Sequence, residues 1–214
     1  MTELKQHVFA VDIDNVLAYA EREVQRIYKE LTNQPWPRDF YASAGGLNGS
    51  RIDRDLIEQI FDYFHDTSIP LLSVMPGARM ALEMLSRRYR IIIVTARRPS
   101  SRPQTVSWLQ AHRIPYDELY LTDEKAEVSE TITLAVDDHP DHVQEYSQSG
   151  IPVFLMDQPW NQGVDLPLVT RVTGWDALVH HLNTGPTRQW PNHIPERPPW
   201  QEMFRTLPPS PSTT

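Results

Sequence analysis

The chain has 214 residues, of which 40% are hydrophobic, a size and composition typical of one α/β domain with a modest insertion. It contains no cysteine, which excludes disulfides, thiol catalysis and cysteine-based zinc sites. The formal net charge of −8 argues against broad binding to a long nucleic acid, but it is compatible with a small phosphorylated substrate held by a metal.

The sequence also lacks the signals of membrane insertion and secretion. It has no apolar stretch of about 18 residues, so we expect neither a membrane-spanning helix nor a membrane partner. The polar residues at 1–7 lack the apolar core of a signal peptide. A cytoplasmic location is therefore the expectation.

The first apolar run, 8–11, predicts a buried parallel strand, and the carboxylates of Asp12 and Asp14 follow it. Side chains two residues apart on an extended chain point the same way, so this pair faces one small volume. Two such acids repel each other unless a cation, or a division into nucleophile and proton carrier, resolves the conflict. A solvated turn, or a helix cap at Asp14, is the alternative for this stretch alone.

The next stretch, through Val74, interrupts the strand pattern. Periodic apolar residues predict helices over 17–31 and 53–65, joined by a loop rich in proline and glycine. Trp36 and Phe40 in this insert are candidates to stack a nucleotide base, and packing within the insert is the alternative. We expect residues 17–74 to form a small helical cap.

From residue 75 onward, helices and β-branched strands alternate, which predicts an α/β fold with a parallel, doubly wound sheet. Residues 1–16 and 75–183 form the predicted core domain. The helices are predicted over 76–88, 104–112, 142–149 and 175–182, and the later strands over 91–95, 118–121, 132–136, 153–156 and 168–172.

The last segment, 184–214, is rich in proline, which excludes a helix or a central strand. Trp190, Trp200 and Phe204 predict that 185–204 docks on the body as an extended arm. Residues 207–214 lack such anchors and are predicted to be disordered. The alternative is a free polyproline-type ligand for a protein partner.

Polar side chains stand at the ends of three predicted strands. These are Asp12 with Asp14, Thr95, and Asp137 with Asp138. Because the carboxyl ends of parallel strands meet at one edge, we expect four carboxylates and a hydroxyl to converge there. Oxygen ligands of this kind suit Mg²⁺. Lys125 is placed to offset the acids, and a solvated surface lysine is the alternative for that residue alone.

Together these residues resemble, in chain order, the four motifs of the haloacid dehalogenase-like (HAD) phosphatase superfamily. The stretches 94–99, 136–140 and 154–161 are similar to its 5'(3')-deoxyribonucleotidase branch and to bacterial and phage relatives of that branch. Two residues depart from the pattern. Asn15 stands where many members have glycine, and His139 stands where nucleotidases often have arginine.

The resemblance implies a HAD-like Rossmannoid fold and a Mg²⁺-dependent phosphomonoesterase that works through an aspartyl-phosphate. It implies that Asp12 attacks phosphorus, and that Asp14 protonates the leaving oxygen and then activates water. Lys125 and Mg²⁺ neutralise the phosphoryl oxygens in this scheme. The implied phosphate-binding residues are Thr95, Ala96 and Arg97. The implied metal ligands are Asp12, the backbone carbonyl of Asp14, and Asp137 or Asp138.

The substrate class that the resemblance favours is a (deoxy)nucleoside 5'-monophosphate. Two alternatives remain open, namely a phosphatase for another small phosphate such as a sugar phosphate, and a HAD-fold binding protein that recruits a partner through its proline-rich tail. The intact motif residues argue against a protein without catalysis. Base and sugar preference stay open, as does the oligomeric state, for which a homodimer is one option.

Overall fold

The computed structural model describes residues 7–37, 53–128 and 132–184, and within them the chain forms one parallel sheet flanked by helices. The strands are β1 (His7–Val11), β2 (Tyr89–Thr95), β3 (Glu118–Leu121), β4 (Ile132–Asp137), β5 (Val153–Met156) and β6 (Val169–Val172). The helices are α1 (Ala20–Thr32), α2 (Arg54–Tyr63), α3 (Ala78–Leu85), α4 (Arg102–Ala111), α5 (Pro140–Gln148) and α6 (Trp175–Thr184).

The strand order is β3-β2-β1-β4-β5-β6, and every neighbouring pair is parallel. Val11 of β1 pairs with Ile93 of β2 on one side and with Val136 of β4 on the other. The chain order therefore reverses between β1 and β4, which is where open sheets of this kind bind ligands. The predicted α/β class with a doubly wound sheet is confirmed.

The central strands are buried on both faces, as their continuous apolar runs predicted. Phe9 and Val11 pack into a core cluster with α1, α3, α4 and α6. Val8 and Ala10 point the opposite way and pack into a second cluster with α5. The sheet thus carries one hydrophobic layer on each side and holds its strand ends in fixed positions.

The first helix begins three residues later than its predicted start at Leu17. The chain turns tightly after β1, because the N–H groups of Leu17 and Ala18 both donate to the carbonyl of Ile13 at 2.8 Å. Asn15 takes a left-handed backbone angle in this turn, with φ of 59°, which asparagine tolerates better than most residues. Its Oδ1 accepts the N–H of Glu21 at 2.8 Å and so satisfies one donor at the start of α1.

The second helix also differs from its prediction. It ends at Tyr63 and continues as a π-helical segment, Phe64–Ser68, followed by a 3-10 turn, Ile69–Leu71. The π-helical segment buries both Phe64 and His65. Single π-helical turns of this kind are frequent near functional sites. The insert is helical where it is described, and its role as a cap stays a prediction.

Several predictions concern residues outside the described ranges. These are the base-stacking role of Phe40, the docked arm at 185–204 and the disordered end at 207–214. They stay predictions. In the described part of the chain, no helix is both long and apolar enough to cross a bilayer.

Gly77 and Gly150 have left-handed backbone angles, with φ of 79° and 74°. A residue with a side chain is strained at such angles. A Cβ at Gly77 would lie 3.3 Å from the Cβ of Trp175, whereas nothing lies within 4 Å of one at Gly150. We expect Gly150→Ala to lower the free energy of unfolding by about 1–2 kcal/mol through backbone strain alone. Gly77→Ala should lower it further, and urea unfolding measures both. Equal losses of stability in the two variants would show that the contact with Trp175 does not destabilise Gly77→Ala.

Candidate functional site

Three buried carboxylates meet at the crevice between β1 and β4. Asp12 follows β1, Asp137 ends β4 and Asp138 comes next. One oxygen of each lies within 4.8 Å of the others, and no other described group of acids, histidines or cysteines forms such a cluster. The backbone N–H of Asp12 donates to Val136 at 3.1 Å, which extends the β1–β4 pairing to the site.

Lys125 lies between two of these acids. Its Nζ donates to Oδ1 of Asp12 and to Oδ2 of Asp137, each at 2.7 Å. The residue is 1% exposed, so it is not the solvated surface lysine of the alternative interpretation. The loop that carries it is tied to α5, because the N–H of Ala126 donates to Glu145 at 2.8 Å.

One ammonium does not balance three buried carboxylates. Burial raises the pKa of Asp12 to about 6 against the opposing effect of Lys125, and Asp137 and Asp14 add to the rise. Burial also raises the pKa of Asp138 well above its usual range, with Asp12 and Asp137 contributing. The site thus carries excess negative charge on oxygen donors alone. That donor set fits a hard divalent cation such as Mg²⁺.

The two adjacent acids of β4 differ in their partners. Oδ2 of Asp137 accepts from Lys125, and its Oδ1 accepts the N–H of His139 at 2.9 Å. Burial acts to raise the pKa of Asp137, but Lys125 and His142 hold it below its usual range. Asp138 is contacted by neutral donors, namely the indole of Trp160 and the side chain of Asn15. Of these two acids, Asp138 is therefore the one that no described cation contacts, so its carboxylate is available to bind a metal ion.

Asp14 faces a different cation. Nε and Nη2 of Arg97 donate to its two carboxylate oxygens at 2.9 and 2.6 Å, and Nη1 donates to Thr105 at 3.3 Å. Arg97 is buried, and it holds Asp14 through this two-pronged contact. The phosphate-binding role of Arg97 stays a prediction, and its ion pair with Asp14 was not predicted from the sequence. The available signal was that both residues follow the ends of adjacent parallel strands.

Thr95 and Ala96 lie at the same edge, where β2 ends. Thr95 is buried, and its Oγ1 accepts the N–H of Arg97 at 3.4 Å in a local capping contact. A hydroxyl that accepts in this way still has a proton to donate to a phosphate oxygen. Ala96 is exposed beside it. Their role in phosphate binding stays a prediction.

Two residues of the insert, Phe64 and Asp62, contact the loop after β2, and no sequence signal pointed to either of them. The ring centroid of Phe64 lies 6.0 Å from Cζ of Arg97, and Arg98 forms an ion pair with Asp62 of α2. Trp36 packs edge-on against Tyr28, with the two ring centroids 5.2 Å apart. This is the packing within the insert that was given as the alternative to base stacking. The insert therefore lies over the loop after β2.

The family model described as 5' nucleotidase, deoxy (pyrimidine), cytosolic type C protein (NT5C) matches residues 6–182. The chain belongs to this family. It is accordingly a member of the HAD phosphatase superfamily, and the resemblance seen in its motifs is confirmed.

Two curated relatives carry related descriptions. A candidate 5'(3')-deoxyribonucleotidase of Chlorobaculum tepidum is 29% identical over 168 residues, which cover 74% of this chain and 82% of that protein. A candidate nucleotidase of Bacillus subtilis, YqfW, is 30% identical over 114 residues. That match spans 50% of this chain and 58% of the Bacillus protein.

Solved structures share the fold at low sequence identity. The HAD-like hydrolase SP0104 of Streptococcus pneumoniae aligns with a TM-score of 0.63 and 15% identity, over 83% of this chain and 99% of that one. The HAD-hydrolase candidate YfnB of Bacillus subtilis, a structure bound to magnesium, aligns with a TM-score of 0.56 and 13% identity. The alignment covers 84% of this chain and 99% of the YfnB chain. These matches show the HAD-like fold.

The charge balance at Lys125 has a measurable consequence. Replacing Lys125 by methionine leaves Asp12 and Asp137 buried without their cation, which should lower the free energy of unfolding by about 3–5 kcal/mol. Lys29, an exposed residue of α1, offers the matched control. Lys29→Met should change stability by less than about 0.5 kcal/mol. Urea unfolding in the presence of EDTA measures both, and similar values for the two variants would contradict the assigned role.

Proposed function

We propose that the protein is a Mg²⁺-dependent phosphomonoesterase that hydrolyses (deoxy)nucleoside 5'-monophosphates through an aspartyl-phosphate on Asp12. The observation that carries the proposal is the buried cluster of Asp12, Asp137 and Asp138 around Lys125, at the crevice between β1 and β4. Membership of a 5' nucleotidase family supports the substrate class.

Asp12 is the proposed nucleophile. Lys125 holds one of its oxygens, which orients the carboxylate and favours its ionised form. A carboxylate oxygen of Asp12 attacks phosphorus, and the bond between phosphorus and the ester oxygen breaks. Water then attacks the aspartyl-phosphate, which releases inorganic phosphate and restores Asp12. Covalent catalysis of this kind replaces one difficult step by two easier ones.

Asp14 is the proposed proton carrier. It gives a proton to the leaving oxygen in the first step and takes one from water in the second. Both of its oxygens accept from Arg97 in the structure, and each oxygen keeps a second lone pair that can carry the proton. Arg97 thereby holds Asp14 beside Asp12 between the two steps.

The remaining groups bind and neutralise the phosphoryl group. Lys125 offers an ammonium, and Thr95 with the backbone at Ala96 offers neutral donors at the end of β2. The residues that would hold the metal are Asp12, Asp138 and the backbone carbonyl of Asp14. Bound there, Mg²⁺ supplies positive charge that offsets the acids and the phosphoryl oxygens. Asp137 holds Lys125 in this scheme.

The insert at 17–74 acts as the cap in this proposal. The contacts of Phe64 with Arg97 and of Asp62 with Arg98 support a position above the loop that follows β2. A cap there covers the leaving-group side of the site, where a nucleoside would lie. Its residues therefore contribute to the choice between nucleotides and smaller esters.

A matched pair of variants distinguishes the proposed roles of Asp12 and Asp14. With p-nitrophenyl phosphate, Asp12→Asn should release no nitrophenolate, because it lacks the nucleophile. Asp14→Asn should give a burst of about one nitrophenolate per enzyme and then stall, because nitrophenolate leaves without a proton but water is not activated. Stopped-flow absorbance measures both. Steady turnover by Asp12→Asn would show that another residue attacks phosphorus.

Removing the metal tests the cofactor. Hydrolysis of a deoxynucleoside 5'-monophosphate should stop in EDTA, because the cation that offsets the acids is withdrawn, and excess Mg²⁺ should restore it. Phosphate release measures the activity, with Ca²⁺ at the same concentration as the control for a cation of different size and coordination. Full activity in EDTA would rule out a metal role.

A panel of phosphate monoesters tests the substrate class with the wild-type protein. We expect the highest kcat/KM for (deoxy)nucleoside 5'-monophosphates. Preference for a sugar phosphate would favour the alternative phosphatase. No hydrolysis of any ester in Mg²⁺ would favour the binding-protein alternative.

A further inference from the structure

The turn after β5 reaches the carboxylate cluster through the side chain of Trp160. Trp160 lies in a short 3-10 turn, Pro159–Asn161, directly beyond the carboxyl end of β5. Its indole Nε1 donates to Oδ2 of Asp138 at 3.1 Å. An indole nitrogen can only donate, so this contact always presents a hydrogen to the carboxylate.

Asn161 fixes the backbone on both sides of this contact. Its Nδ2 donates to the carbonyl of Asp138 at 2.8 Å and to the carbonyl of Met156 at 2.7 Å. Its Oδ1 accepts the N–H of Gln158 at 3.2 Å and Nη1 of Arg171 at 2.7 Å. The side chain is 1% exposed, so these four bonds replace those it would make to water.

Arg171 anchors the turn to the next strand. It stands on β6, and its Nη2 donates to the carbonyl of Asn161 at 2.7 Å. Its Nη1 also contacts Oδ1 of Asp157 at 2.8 Å. Arg171 of β6 therefore holds the turn after β5 through Asn161. The residue next to Asn161 in that turn, Trp160, donates to the Asp138 carboxylate.

We propose that Trp160 is a positioning residue that orients the Asp138 carboxylate for a divalent cation, and that Asn161 and Arg171 hold Trp160 in place. This inference rests on the metal site of the proposed function. A carboxylate ligand that is free to rotate pays an entropic cost when it binds a metal, and a fixed donor on one oxygen reduces that cost. Simple packing of the turn requires no donor aimed at Asp138.

Trp160→Phe removes the donor and keeps an aromatic ring. Trp108 supplies a matched control, because its indole also donates one hydrogen bond, to the carbonyl of Leu72 at 2.8 Å, within the hydrophobic core. Calorimetric titration of each substrate-free protein with Mg²⁺ alone gives the dissociation constant. Thermal unfolding in EDTA gives stability separately from metal binding.

We expect Trp160→Phe to raise the dissociation constant for Mg²⁺ by about 10-fold, within the range usual for groups that orient metal ligands. Trp108→Phe should lower the melting temperature but change the Mg²⁺ dissociation constant by less than about twofold, because it does not contact the site. Excess Mg²⁺ should restore most of the turnover lost by Trp160→Phe, which a general packing defect would not allow.

Arg171→Lys provides a second variant that leaves both Trp160 and Asp138 intact. It loosens the turn from β6 and should weaken Mg²⁺ binding in the same direction by a smaller factor. It replaces Trp160→Phe as the decisive variant if the latter does not fold. Wild-type Mg²⁺ affinity in the folded Trp160→Phe protein, or in Arg171→Lys in its place, would overturn the positioning role.

Asp138→Asn separates this inference from the proposed function. It should abolish Mg²⁺ binding in the same titration if Asp138 is a ligand. Unchanged Mg²⁺ binding by Asp138→Asn, or no binding by the wild type, would overturn the proposed metal site together with this inference. If the wild type binds Mg²⁺ and Asp138→Asn does not, an unchanged Mg²⁺ affinity in the decisive variant would overturn the positioning role alone.

Discussion

The repulsion between buried carboxylates is the constraint on which the site depends. Four acids, Asp12, Asp14, Asp137 and Asp138, stand at the carboxyl ends of two neighbouring strands. The permanent cations that contact them are Lys125 and Arg97, and the ring of His142 lies 3.7 Å from Asp137. With all four acids ionised, the two permanent cations leave an excess of negative charge that a divalent cation would offset. Burial makes that excess costly, which is why the pKa of Asp12 and that of Asp138 are raised.

The two cations divide the acids into two sets with different chemistry. Lys125 bridges Asp12 and Asp137 in the buried floor of the crevice, where it orients the proposed nucleophile. Arg97 holds Asp14, the proposed proton carrier, in a partly exposed position. In the described ranges, Asp138 has the neutral donors Trp160 and Asn15 as partners and forms no ion pair. Each acid thus has an environment suited to one role.

Much of the fold was predictable because its signals are local. Apolar runs with β-branched residues predicted the buried strands, and those at 118–121 and 153–156 match the structure at both ends. Errors lay at the helix ends. The tight turn after Ile13 delayed α1, and α2 gave way to a π-helical segment. Backbone hydrogen bonds set both boundaries, and side-chain periodicity does not report them.

For this protein, the sequence by itself determined the α/β class, the superfamily and the set of acids at the strand ends. Those features follow from residue type and order, which parallel strands convert directly into a shared edge. Only the tertiary structure decided which partner each acid has. Arg97 faces Asp14, and Trp160 faces Asp138, across sequence separations of 83 and 22 residues. Such pairs depend on strand order and side-chain direction, which a single sequence does not specify.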